Sequence, residues 1–202
     1  MRIIEYGANE LSCLSRKDKK LAKLIERTGH LEREVNKNLF HSLVDYIATQ
    51  QISNKAARTV QTRIYEKFGI VTAKKMALRS DEEIKSVGIS MRKVSYIRCL
   101  CQAAISGELE VEQLDSLSNE IVVSKLTSIK GIGDWTAEMF LIFSLERMDI
   151  VSYKDFAIRK GMMALYGLKE LDRQTFDRYR ERYSPYGTVA SLYLWHLSKE
   201  VK

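Results

Sequence analysis

Apolar residues recur at helical intervals along most of this chain, and that spacing restricts the fold more than any other feature. Phe40, Leu43, Val44 and Ile47 fall at i, i+3, i+4 and i+7, and Val94, Ile97 and Cys101 form another such stripe. One proline among 202 residues leaves the stripes unbroken. Glycines at positions 69, 88, 107, 131, 133 and 167 punctuate them where helices end or the chain turns. The pattern predicts helices at about 17–28, 38–50, 54–68, 72–78, 81–86, 91–105, 111–115, 118–127, 134–145, 155–165, 174–183 and 187–199. No convincing strand is expected. Residues 1–7 can be briefly extended, but a lone strand has nothing to pair with. The expected fold class is all-α.

The length allows one domain or two small lobes, with enough chain to bury a core without covalent staples. Three cysteines, Cys13, Cys99 and Cys101, are too few for a four-cysteine zinc site or an iron–sulfur cluster, and their odd count argues against a disulfide framework. Cys99 and Cys101 lie two apart on a predicted helix, face different directions and read as small packing residues. His30, His41 and His196 are too scattered for a metal site or a triad. No run approaches the roughly 18 apolar residues of a membrane span, and the N-terminus has no signal-like segment. The chain therefore reads as a soluble cytoplasmic protein without a membrane partner. Lysine plus arginine outnumber aspartate plus glutamate by 33 to 26, which favours a polyanionic partner. The clusters from Arg16 to Lys23 and from Arg178 to Arg182 read as solvated helix faces.

The most informative run is residues 126–145, Leu-Thr-Ser-Ile-Lys-Gly-Ile-Gly-Asp-Trp-Thr-Ala-Glu-Met-Phe-Leu-Ile-Phe-Ser-Leu. Two helical segments flank Gly131-Ile132-Gly133, where missing Cβ atoms permit a sharp turn and a close approach by another backbone. The turn opens straight into a helix, so unpaired N–H groups and the positive end of the dipole point outward together. A phosphate fits there without a lysine, although Gly-x-Gly also serves as an ordinary turn between helices.

Taken with the segments on either side of it, this run resembles the helix-hairpin-helix DNA glycosylase superfamily, and within it the 3-methyladenine DNA glycosylase II branch. The resemblance covers residues 36–200. It is carried by Ile47-Ala-Thr-Gln-Gln-Ile-Ser-Asn-Lys-Ala-Ala57, Val87-Gly-Ile-Ser-Met-Arg-Lys-Val-Ser-Tyr-Ile97, Ile129-Lys-Gly-Ile-Gly-Asp-Trp-Thr-Ala137, Lys154-Asp-Phe-Ala-Ile-Arg159 and Tyr183-Ser-Pro-Tyr-Gly-Thr-Val-Ala-Ser-Leu-Tyr-Leu-Trp195, in the family's order. It implies two helical lobes with a helix-hairpin-helix motif and an interlobe cleft. Residues 1–35 would be an N-terminal segment and first helix packing on the C-terminal lobe. Residues 36–145 would form a helical lobe ending in the hairpin, at about 118–145, and residues 146–202 a C-terminal lobe carrying Asp155. The small β-rich N-terminal domain of some relatives has no counterpart in the 35 or so residues ahead of the match.

The resemblance assigns phosphate-binding amides to Gly131, Gly133 and Thr136. A structural sodium or potassium ion would sit on the main-chain carbonyls of Thr127, Ile129 and Ile132. Asp155 stands where the family keeps its catalytic aspartate. Breaking an N-glycosidic bond develops oxocarbenium character on the sugar, which a fixed anion stabilises, and the same carboxylate can orient or deprotonate the attacking water. Ser152-x-x-Asp155 also resembles a capping box, so helix capping is the structural alternative for this aspartate. Relatives that also nick the strand carry a hairpin lysine nucleophile where this chain has Trp135, and this departure implies a monofunctional enzyme.

Gln51 and Ile52 match the side chains that wedge into the stack when a base is extruded, with a polar helix end capped by Ser53 as the plainer reading. The base pocket would draw on Trp135, Trp195, Tyr186 and Met139, with Tyr153 and Tyr193 as further aromatics. Electron-rich faces suit an alkylated, positively charged purine, although tryptophans in helical proteins are often simply core. Met139 replaces an aromatic common in the family, Gly187 replaces an arginine, and prolines in the hairpin and ahead of the aspartate are missing, so the pocket's shape differs from the family pattern. The expected partner is double-stranded DNA containing a damaged base, bound by a monomer. A non-catalytic helix-hairpin-helix DNA-binding module and a glycosylase for deaminated or oxidised bases remain as alternatives.

Overall fold

The computed structural model describes residues 2–201. In chain order the helices are α1 (Ala8–Lys17), α2 (Lys19–Thr28), α3 (Leu39–Thr49), α4 (Asn54–Phe68), α5 (Ala73–Ala77), α6 (Asp81–Lys85) and α7 (Met91–Ser106). After a 3₁₀ turn at Val111–Ser116 come α8 (Asn119–Thr127), α9 (Asp134–Phe143), α10 (Phe156–Tyr166), α11 (Arg173–Tyr183) and α12 (Gly187–Glu200). The fold is all-α, and among the described residues the extended pairing is confined to one isolated bridge. The chain divides into two compact units. One is continuous, Asn36–Leu145, and the other is built from the described parts of Met1–Val35 and Glu146–Lys202.

Side-chain caps set many of the helix starts. The hydroxyls of Ser53, Thr72, Ser80, Ser90 and Ser118 and the carboxylates of Asp18, Asp155 and Asp172 accept first-turn amides of the helices that follow them. Sequence reasoning passes over α1, placing the first helix from 17 onward, because its start carries no such signal. Gly7 is the N-cap, and its amide donates to the Glu10 carboxylate at 2.8 Å. The expectation that residues 1–7 find nothing to pair with is also corrected. Met1 lies outside the described residues, but Ile3 bridges antiparallel to Glu34, Ile4 N–H donates to Arg33 O (2.9 Å) and Val35 N–H to Arg2 O (3.0 Å). Partners thirty residues apart leave no local pattern to read.

In the continuous unit, Leu43, Val44 and Ile47 of α3 join Val94, Ile97 and Leu100 of α7 and Phe140 and Ile142 of α9 among the fully buried residues, so both predicted stripes are core. The discontinuous unit packs Leu14, Leu21, Leu24, Ile158, Met162, Phe176, Tyr183, Tyr193 and Leu194 into one cluster. Within it α10 and α12 approach so closely that a Cβ on Gly161 would lie 2.1 Å from Leu194 O. Asp18, buried between α1 and α2, accepts from the amides of Lys20 and Leu21, from Tyr166 Oη (2.7 Å) and from Arg182 (3.3 Å). One carboxylate thus joins the α1–α2 corner to α10 and α11.

Candidate active site

Asp155 is the N-cap of α10 and is buried, with 7% of its surface exposed. Its Oδ1 accepts the Ile158 amide at 2.9 Å and the Trp195 indole N–H at 3.1 Å. The capping alternative is therefore shifted by a turn. Asp155 caps the helix itself, instead of serving as the third residue of a box begun by Ser152. The stretch leading to it is fastened to α12 by hydroxyls: Thr188 Oγ1 donates to Arg147 O (2.5 Å) and accepts from Ile150 N–H (3.1 Å), and Ser191 Oγ donates to Ile150 O (3.0 Å). Asp149 holds the start of α12 by accepting from Ser184 Oγ (2.6 Å) and the Gly187 amide (3.1 Å). The carboxylate is thus fixed by a helix start, an indole and an anchored loop. A fixed, desolvated anion of this kind is suited to stabilising positive charge on a neighbouring sugar.

The aromatic candidates of this unit fare differently. Trp195 and Tyr186 are half-buried against its core, and Trp195 also orients the carboxylate, a role its sequence position does not reveal. Tyr153 lies edge-on to Phe176 at 5.1 Å, with the guanidinium groups of Arg159 and Arg173 over its ring at 5.0 and 5.1 Å. Tyr193 has no exposed surface and donates to Gly29 O at 2.9 Å, so it is a core residue and not a pocket wall. The histidines are structural. His41 is buried and accepts Val71 N–H, His30 stacks on Tyr6, and His196 sits 3.2 Å from Glu200.

In the continuous unit, α8 and α9 are joined by residues 128–133. Gly131 has φ +98°, and a Cβ there would fall 2.2 Å from the Tyr96 ring, so both the turn and the packing demand glycine. Gly133 is the N-cap of α9 and has no side chain to cap with. The first helical bond is Ala137 N–H to Gly133 O, so the amide of Thr136, one residue earlier, has no intrahelical acceptor. A cavity of about 450 Å³ opens at this helix start, lined by Gln50, Gln51, Arg92, Tyr96, Gly131, Ile132, Gly133, Trp135 and Thr136. Three sequence candidates for phosphate contact, one for the wedge and one for the pocket therefore share one concavity. Gln50, Arg92 and Tyr96 join them unforeseen, although two of the family-like segments contain them. Ile52 and Trp135 are each 38% exposed, whereas Met139 is buried and its carbonyl accepts from Tyr46 Oη at 3.4 Å.

The carbonyls of Thr127, Ile129 and Ile132 lie at the end of α8 and in the turn. Ile129 O already accepts Ile132 N–H at 3.1 Å. Neutral main-chain oxygens at a helix C-terminus, where the dipole is negative, suit a cation of low charge. Among the described residues no cluster of three or more His, Cys, Asp or Glu is arranged to hold a metal, and no helix is long and apolar enough to cross a membrane.

Comparison with known proteins bears on this arrangement. Residues 44–185 match the model of the HhH-GPD superfamily base excision DNA repair proteins. The chain is 34% identical over 194 residues to DNA-3-methyladenine glycosylase 1 of Schizosaccharomyces pombe, covering 94% of this chain and 85% of that one. Its fold is similar to the crystal structure of a DNA-3-methyladenine glycosidase from Bacillus halodurans, with TM-score 0.85 and 37% identity over 98% of this chain and 93% of the other. It is also similar to the Schizosaccharomyces pombe 3-methyladenine DNA glycosylase Mag1 in complex with abasic DNA, with TM-score 0.83 and 32% identity over 95% and 97% of the two chains. With most of its length matched in both sequence and fold, the chain belongs to the HhH-GPD superfamily of base excision DNA repair proteins.

Proposed function

We propose that this chain is a monofunctional DNA glycosylase that hydrolyses the N-glycosidic bond of alkylated purines such as 3-methyladenine. The observation that carries the reading is the buried carboxylate of Asp155, held by the start of α10 and by the Trp195 indole, in a chain whose relatives are named for this activity.

The helix-hairpin-helix grips the strand through a phosphate at the amides of Gly131, Gly133 and Thr136. A cation on the carbonyls of Thr127, Ile129 and Ile132 would stiffen that turn and reinforce its positive field. Gln51 and Ile52 enter the space left by the extruded nucleotide, offsetting part of an unstacking cost of roughly a few kcal/mol. A π face suits a cationic base: Trp195 and Tyr186 offer one in the unit that carries Asp155, and Trp135 offers one in the continuous unit, where Met139 is buried. As the bond from C1′ to the base nitrogen breaks, its electron pair leaves with the base and Asp155 stabilises the positive sugar. Water adds at C1′, its proton is taken up by the carboxylate, and an abasic site remains. The hairpin position of the strand-nicking relatives' lysine is Trp135, so no Schiff base forms. The working species is a monomer bound to duplex DNA.

The decisive experiment incubates the protein with methylated DNA and a panel of single-lesion duplexes and identifies released bases by mass spectrometry. Release of 3-methyladenine without strand scission is the expected result. Duplex binding with no base released from any lesion would leave a DNA-binding module, and release confined to deaminated or oxidised bases would move the enzyme to another substrate class. Borohydride should trap no covalent adduct.

A further inference from the structure

The first residues after α3 are held by a side chain from another helix. Lys93, on the first turn of α7, donates from Nζ to Gln50 O at 2.7 Å and to Ala48 O at 2.9 Å. These are carbonyls of the last turn and C-cap of α3, where an ammonium complements the negative end of the helix dipole. Gln50 is tied from its other side as well. Its Nε2 donates to Gly131 O at 2.8 Å and approaches Thr136 Oγ1 at 3.3 Å. The next residue, Gln51, has φ +56°, a left-handed conformation that a non-glycine residue adopts only when its surroundings enforce it. Lys93 fixes the backbone before this residue, and the Gln50 amide ties it to the phosphate-binding turn.

We propose that Lys93 is a positioning residue for base extrusion, holding the left-handed Gln51, and Ile52 after it, in register with the hairpin without touching the DNA itself. The inference rests on the reading of Gln51 and Ile52 as the wedge. Its physical content is that removing the ammonium loosens the wedge and leaves Asp155, in the other unit, as it was. The defect should then appear in extruding the nucleotide and not in cleaving the bond. Burial also lowers the Lys93 pKa, as expected for an ammonium whose solvent has been replaced by carbonyls.

The test compares wild type with Lys93→Met and Lys93→Gln under single-turnover conditions on two substrates, the lesion in a fully paired duplex and the same lesion in a single strand. In parallel, 2-aminopurine beside the lesion reports unstacking by its fluorescence. Losing a charge-assisted bond to two carbonyls should slow excision from the paired duplex by about tenfold or more and shrink the 2-aminopurine signal, while single-strand excision stays within about threefold. Lys93→Gln retains two N–H donors and should recover part of the loss, and it serves as the test variant if Lys93→Met does not fold. Equal slowing on both substrates, or an unchanged fluorescence signal, would overturn the proposal. Should wild type release no base from either substrate, the glycosylase reading fails, yet the fluorescence comparison still decides whether Lys93 supports extrusion.

Discussion

The Asp155 carboxylate caps α10 and receives the Trp195 indole through the same oxygen, so its structural and chemical duties can be separated by choosing the replacement. Asparagine caps as well as aspartate. Asp155→Asn should therefore keep a near wild-type melting temperature while single-turnover base release falls by about a hundredfold or more. Asp155→Ala should lose the cap as well, about 1 kcal/mol of stability. Intact activity in Asp155→Asn would return this residue to a purely structural role. A second carboxyl behaves differently. Asp45 is buried with Oδ1 unpartnered and Oδ2 3.4 Å from His41 Nε2, and burial pushes its pKa up to about 7. The fold keeps a proton that the unfolded chain releases above about 4, so the stabilising contribution is complete at low pH and is lost as pH rises toward 7. His41, lowered by burial, acts in the opposite sense. The melting-temperature advantage of Asp45→Asn over wild type should thus grow between pH 4 and 7 and level off above.

At the scale of elements, the two hairpin glycines make opposite predictions. Gly131→Ala must relieve both a positive φ and a collision with Tyr96, so it should destabilise the continuous unit and weaken duplex binding together. At Gly133 a Cβ meets nothing within 4 Å and φ is −104°. Serine there supplies the missing cap and places its own oxygen where a phosphate would go. Gly133→Ser should therefore hold or raise the melting temperature while duplex affinity falls. Affinity falling only in step with stability would remove the phosphate role. Helices α4, α7 and α10 were legible because an apolar stripe, a capping residue and a terminal glycine coincide in each. Helix α1 was not, since it offers Gly7 in place of a capping side chain and few apolar positions. The bond from Trp195 to Asp155, the grip of Lys93 on α3 and the several partners of Asp18 all join residues far apart in sequence, and no spacing rule anticipates them. The Asp155 and hairpin assignments came from resemblance. Local chemistry alone left each open between a site and an ordinary cap or turn.

For the whole molecule, the net charge of +7 makes affinity for undamaged duplex a counterion-release effect. Its logarithm should fall linearly with the logarithm of salt concentration, by about 0.9 per neutralised phosphate, and an affinity indifferent to salt would exclude a phosphate-led grip.

The uneven assembly of the two units bears on how the protein can be trimmed. A fragment cut at the borders of the family match, 44–185, would retain most of the continuous unit but lose Leu14, Leu21 and Leu24 from one end and Tyr193, Leu194 and Trp195 from the other. Helix α10 would then have lost the hydrophobic bed on which it lies, and Asp155 the indole that aims it. A version of this chain that holds Asp155 in place is therefore close to its whole length, because residues outside 44–185 supply both the packing under α10 and the indole that donates to its N-cap.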